Sequence, residues 1–296
     1  MTLSSSKIGC VTPTGDICGE GAVWHPDEQA LYWTDINRFL IHRFAPEDGA
    51  TFTWMFEEPV TSMNLTTDPK RLLVVFASRV GLWSPDTHPH VETLWELPTA
   101  PEMRCNDAGI DPRGSLWVGT MRNNVGPRGE NLDVIFTDGV LYRIEPNGTA
   151  TEWKRNIGIS NTVAWSPDHK TFYFGDSAAN EISTFRFDQQ TGAISGEQPF
   201  LAGYDLGAPD GSTVDREGFL WNTRPGAGAL IRVAPDGRVD QIVRLPASLP
   251  TTCTFGGRDL RTLYITSARS EDQLSGSLFG IEMETGGLPA NRFLLD

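Results

Sequence analysis

The stretch WHPDEQALYWTD at 24–35 returns as WSPDHKTFYFGD at 165–176. Both run from an aromatic residue through a Pro-Asp turn into a short β-rich stretch that ends on aspartate. Weaker copies follow the same grammar: TTDPKRLLVVFAS, GIDPRGSLWVGTM, TVDREGFLWNTRP and FGGRDLRTLYITSA. A repeat at this spacing predicts an array of like units. Each copy continues into a third apolar stretch, such as GVLYRIEP or ALIRVAP. A turn and a fourth stretch follow, the last of these being NRFLLD. Short runs of about 5–6 residues between turns are strands. No long segment has a 3.6-residue period. Six units of four strands predict an all-β chain: a six-bladed β-propeller of four-stranded antiparallel blades, one domain over 1–296. The N-terminal KIGCVTP is expected to pair in the last blade and close the ring, which leaves no free edge.

Composition narrows the function. The 296 residues are 39% hydrophobic, enough for a sizeable core, and the formal net charge is -14. A nucleic-acid partner, which needs a basic face, is disfavoured. No run of 18 apolar residues predicts a membrane span. The N-terminal MTLSSSKIGCVTPTGDICGEG has no apolar signal core, so a cytoplasmic location is expected. Cys10, Cys18, Cys105 and Cys253 lack metal or disulfide spacing and read as reduced thiols.

The repeat also supplies a register. Counting back seven residues from the turn of each copy reaches Glu20, Met63, Asn106, Asn161, Asp210 and Thr251, at intervals of 43, 43, 55, 49 and 41. This is the start of the first strand, which lies innermost in a propeller. Side-chain oxygens of Glu20, Asn106, Asn161 and Asp210 should therefore converge near the axis. An Asn or Asp here can instead cap a turn. Two carboxylates in one partly desolvated pocket repel, and a divalent cation removes the conflict. An all-oxygen set favours Ca²⁺, Mg²⁺ or Mn²⁺ over Zn²⁺ or Fe²⁺. Asp35 and Asp176, matched at the second strand, are expected to brace turns beside the site.

These residues are also where the chain resembles a known family, the senescence marker protein, gluconolactonase and regucalcin-like proteins. The matches are GEGAVWHP at 19–26, RCNDAGIDPRGSLWVGTM at 104–121, SNTVAWSPDHKTFYFGDS at 160–177, PDGSTVDREGFLW at 209–221 and CTFGGRDLRTLYITSA at 253–268. The resemblance implies one divalent metal in the channel, bound by Glu20, Asn161 and Asp210. It implies that Arg104 and Asn106 face substrate and that Asp210 is also the general base. Two positions depart from the family pattern. Thr162 follows the asparagine where the family usually has glycine, so an altered local backbone is expected. Asn124 stands where some members place a substrate-touching acid.

The chemistry so implied is hydrolysis of a sugar lactone, neutral or bearing a carboxylate, by a monomer or weak dimer. Arg104, with Arg122 as a second positive group, would suit an anionic lactone. No GxSxG is present, which disfavours a serine hydrolase. A calcium-binding regulatory protein without catalysis is the alternative, and a metal-dependent organophosphate or aryl esterase another. The third interval is 12 residues longer than the second, and the surplus lies in RNNVGPRGENLDVIFTDG at 122–139, a candidate lid.

Overall fold

The computed structural model describes residues 2–3, 8–134 and 137–295. It is a ring of six antiparallel sheets, a six-bladed β-propeller. Blade 1 runs through Gly19–His25, Ala30–Asp35, Leu40–Ala45 and Ala50–Met55. Blade 2 begins at Val60–Thr66, blade 3 at Met103–Ile110, blade 4 at Ser160–Trp165, blade 5 at Ser212–Val214 and blade 6 at Pro250–Gly256. These first strands contact one another around the ring, which places them innermost.

Turn chemistry fixes the blades. DPRGSLW at 111–117 and DREGFLW at 215–221 fold alike. Asp111 Oδ2 accepts from Trp117 Nε1 and Arg143 Nε, both at 3.0 Å. Asp215 Oδ2 accepts from Trp221 Nε1 (3.0 Å) and Arg232 Nε (2.8 Å). One carboxylate thus ties a tight turn to the middle of its own blade. Between blades the core is apolar, with Trp33, Trp83, Trp117 and Trp221 fully buried.

The ring closes as expected at one end of the chain and differently at the other. Gly9–Thr12 pairs with Leu278–Glu282 and is the fourth strand of blade 6. That position being taken, NRFLLD is not a blade-6 strand, contrary to expectation. Arg292–Phe293 instead pairs in parallel with Leu65–Thr66 of blade 2. On the way, Leu288, Pro289, Ala290 and Asn291 line one end of the channel, where a chamber of about 530 Å³ opens. Phe293 is buried between blades 2 and 3, and Asn291 Nδ2 donates to Ile110 O (2.9 Å). No helix among the described residues is long and apolar enough to cross a membrane.

Candidate functional site at the channel mouth

The opposite end of the channel collects the residues singled out from sequence. Glu20, Arg104, Asn106 and Asn161 sit on first strands interrupted by a bulge, Asp210 just before the regular first strand of blade 5, and Asn124 just after the second strand of blade 3. Register shifts fall between Glu20 and Val23, Cys105 and Ala108, and Asn161 and Val163. A bulge leaves a residue unpaired and re-aims its side chain. The two matched aspartates brace these starts as expected. Asp35 accepts from Ile17 N (2.8 Å) and Cys18 N (3.1 Å), and Asp176 from Gly158 N (2.8 Å) and Ile159 N (3.0 Å).

Glu20 and Asp210 come close enough to interact directly, and both carboxyls are pushed well above the usual range. Burial is the largest cause for each. For Glu20 the charge of Asp210 comes next, and for Asp210 the charge of Asp107. Asp107 was not singled out from sequence, yet its carboxyl belongs to this cluster. Burial raises it to about 7, against hydrogen bonds from the backbone N–H groups of Ala108, Thr162 and Val163. The only sequence signal for it was its place beside Asn106. Asp107 also lines the 530 Å³ chamber, whereas Glu20, Asn161 and Asp210 do not. The chamber is therefore the far half of the channel, and the chemistry-bearing groups lie at its other end.

Arg104 is the cation of the site, 5% exposed. Its Nε donates to Asn124 Oδ1 (2.8 Å), and Nη1 donates to Cys105 O (2.9 Å) and Asn106 Oδ1 (2.5 Å). Burial lowers its pKa to about 10, although the neighbouring acidic groups hold it up. Nη2 has no hydrogen-bond partner among the described residues. Asn106 in turn donates from Nδ2 to Ser160 O (2.8 Å) and Asn161 Oδ1 (3.0 Å), so both ends of its amide are engaged. Asn161 Nδ2 donates to Ser177 Oγ (2.8 Å), which donates to Pro209 O (2.5 Å). One hydrogen-bonded chain thus links Asn124, Arg104, Asn106, Asn161 and the segment carrying Asp210.

Two expectations are corrected, for Met63 and Arg122. Met63 does not join the site. It lies beyond the register shift between Val60 and Ser62, paired with Val74 and packed between blades 1 and 2 beside the far chamber. Thr61 is the near residue there, donating to Asn106 O (3.1 Å). Thr162 takes the left-handed conformation. Its φ is +54°, against +58° for Gly21, which follows Glu20 in blade 1 as Thr162 follows Asn161 in blade 4. A β-branched residue is strained there. The Thr162 hydroxyl offsets the strain by donating to Asp210 O (2.6 Å), and it lies 2.8 Å from Ser212 Oγ. Arg122 brings no spare charge, since its Nη2 is paired with Asp138 at 2.6 Å. Thr251 is spent structurally, its hydroxyl donating to Gly19 O.

The donor set fits a hard cation. Glu20 and Asp210 are carboxyls whose burial and repulsion the Arg104 charge and the Gly21 and Gly211 backbone N–H groups offset only in part, and Asn161 Oδ1 keeps a lone pair beyond the one it gives Asn106. Among the described residues no three His, Cys, Asp or Glu side chains group as a metal site, and the donors these three residues offer are two carboxyls and an amide oxygen. His25, the histidine nearest in sequence, is tied up instead, with Nε2 3.0 Å from Pro69 O and Nδ1 accepting from Glu28 N (3.2 Å).

Residues 18–269 match the SMP-30/Gluconolactonase/LRE-like region. The chain belongs to this family. It is 33% identical to the 6-deoxy-6-sulfogluconolactonase of Pseudomonas putida, covering 96% of this chain and 97% of that one. It is 30% identical to the pentonolactonase XacC of Haloferax volcanii, covering 95% and 96%. Among solved structures, a calcium-binding protein, regucalcin, from Agrobacterium tumefaciens superposes with a TM-score of 0.89 at 25% identity, covering 99% and 98%.

Proposed function

We propose that this family member hydrolyses a sugar lactone, an aldono- or aldarolactone, to the open sugar acid, with one divalent cation held by Glu20, Asn161 and Asp210. The observation that carries the reading is the meeting of two burial-raised carboxyls and one buried guanidinium at a single channel mouth. The two lactonase relatives support the substrate class.

When bound, a hard divalent cation polarises the ester carbonyl and stabilises the negative charge that develops on its oxygen. The residues do the rest. Asp210, as the carboxylate, takes a proton from the attacking water. The water oxygen bonds to the carbonyl carbon, the ring C–O bond breaks, and the proton passes to the leaving ring oxygen. Burial favours proton uptake by Asp210, which strengthens it as a base. Arg104 offers Nη2 to a substrate hydroxyl or carboxylate, and Asn106 and Asn124 fix the guanidinium plane. No acyl-enzyme is required.

An anionic substrate remains compatible with Arg104, and one relative is named for a sulfo-substituted lactone. The test is a panel of neutral and anionic lactones after chelation, with Ca²⁺, Mg²⁺, Mn²⁺ or Zn²⁺ restored one at a time. Metal-dependent turnover is expected. Tight Ca²⁺ binding with no turnover of any lactone would favour the calcium-binding regulatory reading, which the regucalcin likeness keeps specific.

A further inference from the structure

The polar segment between the second and third strands of blade 3 does not stay over its own blade. Asn124 to Leu132 form a small hairpin. Val125 is bridged to Asn131, Leu132 N donates to Asn124 O (2.9 Å), and Gly126 N donates to Glu130 O (2.8 Å). Residues 135–136 of the expected lid lie outside the described residues. The hairpin tip rests on blade 1. There Asn37, in the short turn Ile36–Arg38 capped by Asp35, donates from Nδ2 to Gly129 O (2.8 Å) and Asn131 Oδ1 (2.9 Å). Asn37 is 6% exposed. Gly129 has φ +80°, and a Cβ added there would lie 1.8 Å from Asn37 O. The segment therefore reaches from blade 3 to blade 1, where, among the described residues, its side-chain hydrogen bonds come from Asn37.

Alternation along the hairpin gives its two faces different work. Asn123 and Val125 line an apolar cavity of about 370 Å³ with Phe39, Pro59 and Met103. Asn124, between them, turns the other way and accepts from Arg104 Nε (2.8 Å).

We propose that Asn37 is a positioning residue for substrate binding: its clasp on Gly129 and Asn131 holds Asn124 against Arg104 and so sets how the guanidinium meets the lactone. This rests on the reading that Arg104 binds substrate. A route through Asn124 predicts an effect on KM, because the clasp touches neither Asp210 nor Glu20.

The test uses the full chain with Asn37→Ala, and Gly129→Ala as an independent way to lift the tip. Two readouts are taken: lactone kcat and KM, and the rate of tryptic cleavage after Arg128, which is exposed beside the docked Gly129. Losing two neutral hydrogen bonds should raise both cleavage rate and KM by about 10-fold, with kcat within about 2-fold and little change in Tm. A high concentration of the sugar-acid product should slow cleavage in the wild type. Faster cleavage with unchanged KM would overturn the positioning role, and unchanged cleavage would overturn the clasp. A fall in kcat alone would also overturn it. A wild type with no lactone turnover would sink the functional reading and the role built on it, while cleavage still judges the clasp.

Discussion

Replacing Asp107 by Asn should make the metal-free protein more stable at pH 8 but not at pH 5. Burial raises the Asp107 carboxyl to about 7, against an ordinary value near 4. Between those values the folded chain keeps a proton that the unfolded chain has released. Wild-type stability therefore falls as pH rises through this window and levels off above about 7. Each pH step costs about 1.4 kcal/mol, so the carboxyl takes away up to ~3 kcal/mol between pH 5 and its own value. Asp107 is half-buried and meets channel solvent, which leaves about 1–2 kcal/mol. Asparagine has no such term. For a chain of this length roughly 2 °C accompanies each kcal/mol, so the variant should gain about 2–4 °C on wild type from pH 5 to pH 8. The assay is thermal unfolding in chelator at several pH values. Adding a divalent cation should shrink the difference, because a nearby positive charge favours the carboxylate. A difference in Tm that does not change with pH would refute the reasoning, as would one that falls as pH rises.

Three further outcomes are expected. Glu20→Gln and Asp210→Asn should each lose bound divalent metal by elemental analysis, and Asp210→Asn should also lose lactone turnover; full metal content in both would remove the carboxylates as ligands. Arg104→Met should lower kcat/KM by about 10–100-fold, the scale of one lost charge-assisted hydrogen bond. Matched anionic and neutral lactones then tell whether the arginine reads charge or hydroxyls, and no loss for either would place it outside the site. Thr162→Gly should shift Tm by no more than about 3 °C, because relief of left-handed strain, about 1–2 kcal/mol, offsets the lost hydroxyl bond and the added chain entropy. It should still lower kcat/KM several-fold, since Asp210 O then keeps only Asn222 Nδ2 (2.9 Å) of its two side-chain donors. Unchanged kinetics would show that the Thr162 hydroxyl does not orient Asp210.

Most of the fold was legible because each blade repeats a local rule. The Asp of DPRGSLW and DREGFLW both makes the turn and holds the tryptophan, so the motif carries its own geometry. The closing strand at Gly9–Thr12 was legible because a closed ring leaves no free edge, and it pairs with Leu278–Glu282. The fate of NRFLLD was not. Its apolar pattern suits a strand anywhere, and only the occupied edge of blade 6 sends Phe293 to the core between blades 2 and 3. Residues that bond locally announce themselves, whereas a tail is placed by whatever the rest of the chain has left open.

The site shows the same division. A constant offset from a turn finds equivalent residues while the register shift stays at the same place in the strand, as it does at Glu20, Asn106 and Asn161. It failed at Met63, where the shift falls earlier, between Val60 and Ser62, so the offset lands on a residue in regular pairing. Asp107 escaped for a related reason. Alternation turns a residue next to Asn106 away from it, but blade 3 loses its pairing register between Cys105 and Ala108. The shift lets adjacent residues serve one cluster: Asn106 bonds Arg104 and Asn161, and the Asp107 charge acts on Glu20 and Asp210. Irregular backbone is thus what concentrates the chemistry here. The left-handed turns at Gly21 and Thr162, directly after Glu20 and Asn161, belong to the same device. A regular strand could offer the channel only every second residue. The interrupted strands of blades 1 and 3 bring Glu20, Asp107 and the Arg104 guanidinium within electrostatic reach of Asp210, and the raised carboxyls that result make the mouth of the channel ready for a cation and a polar substrate.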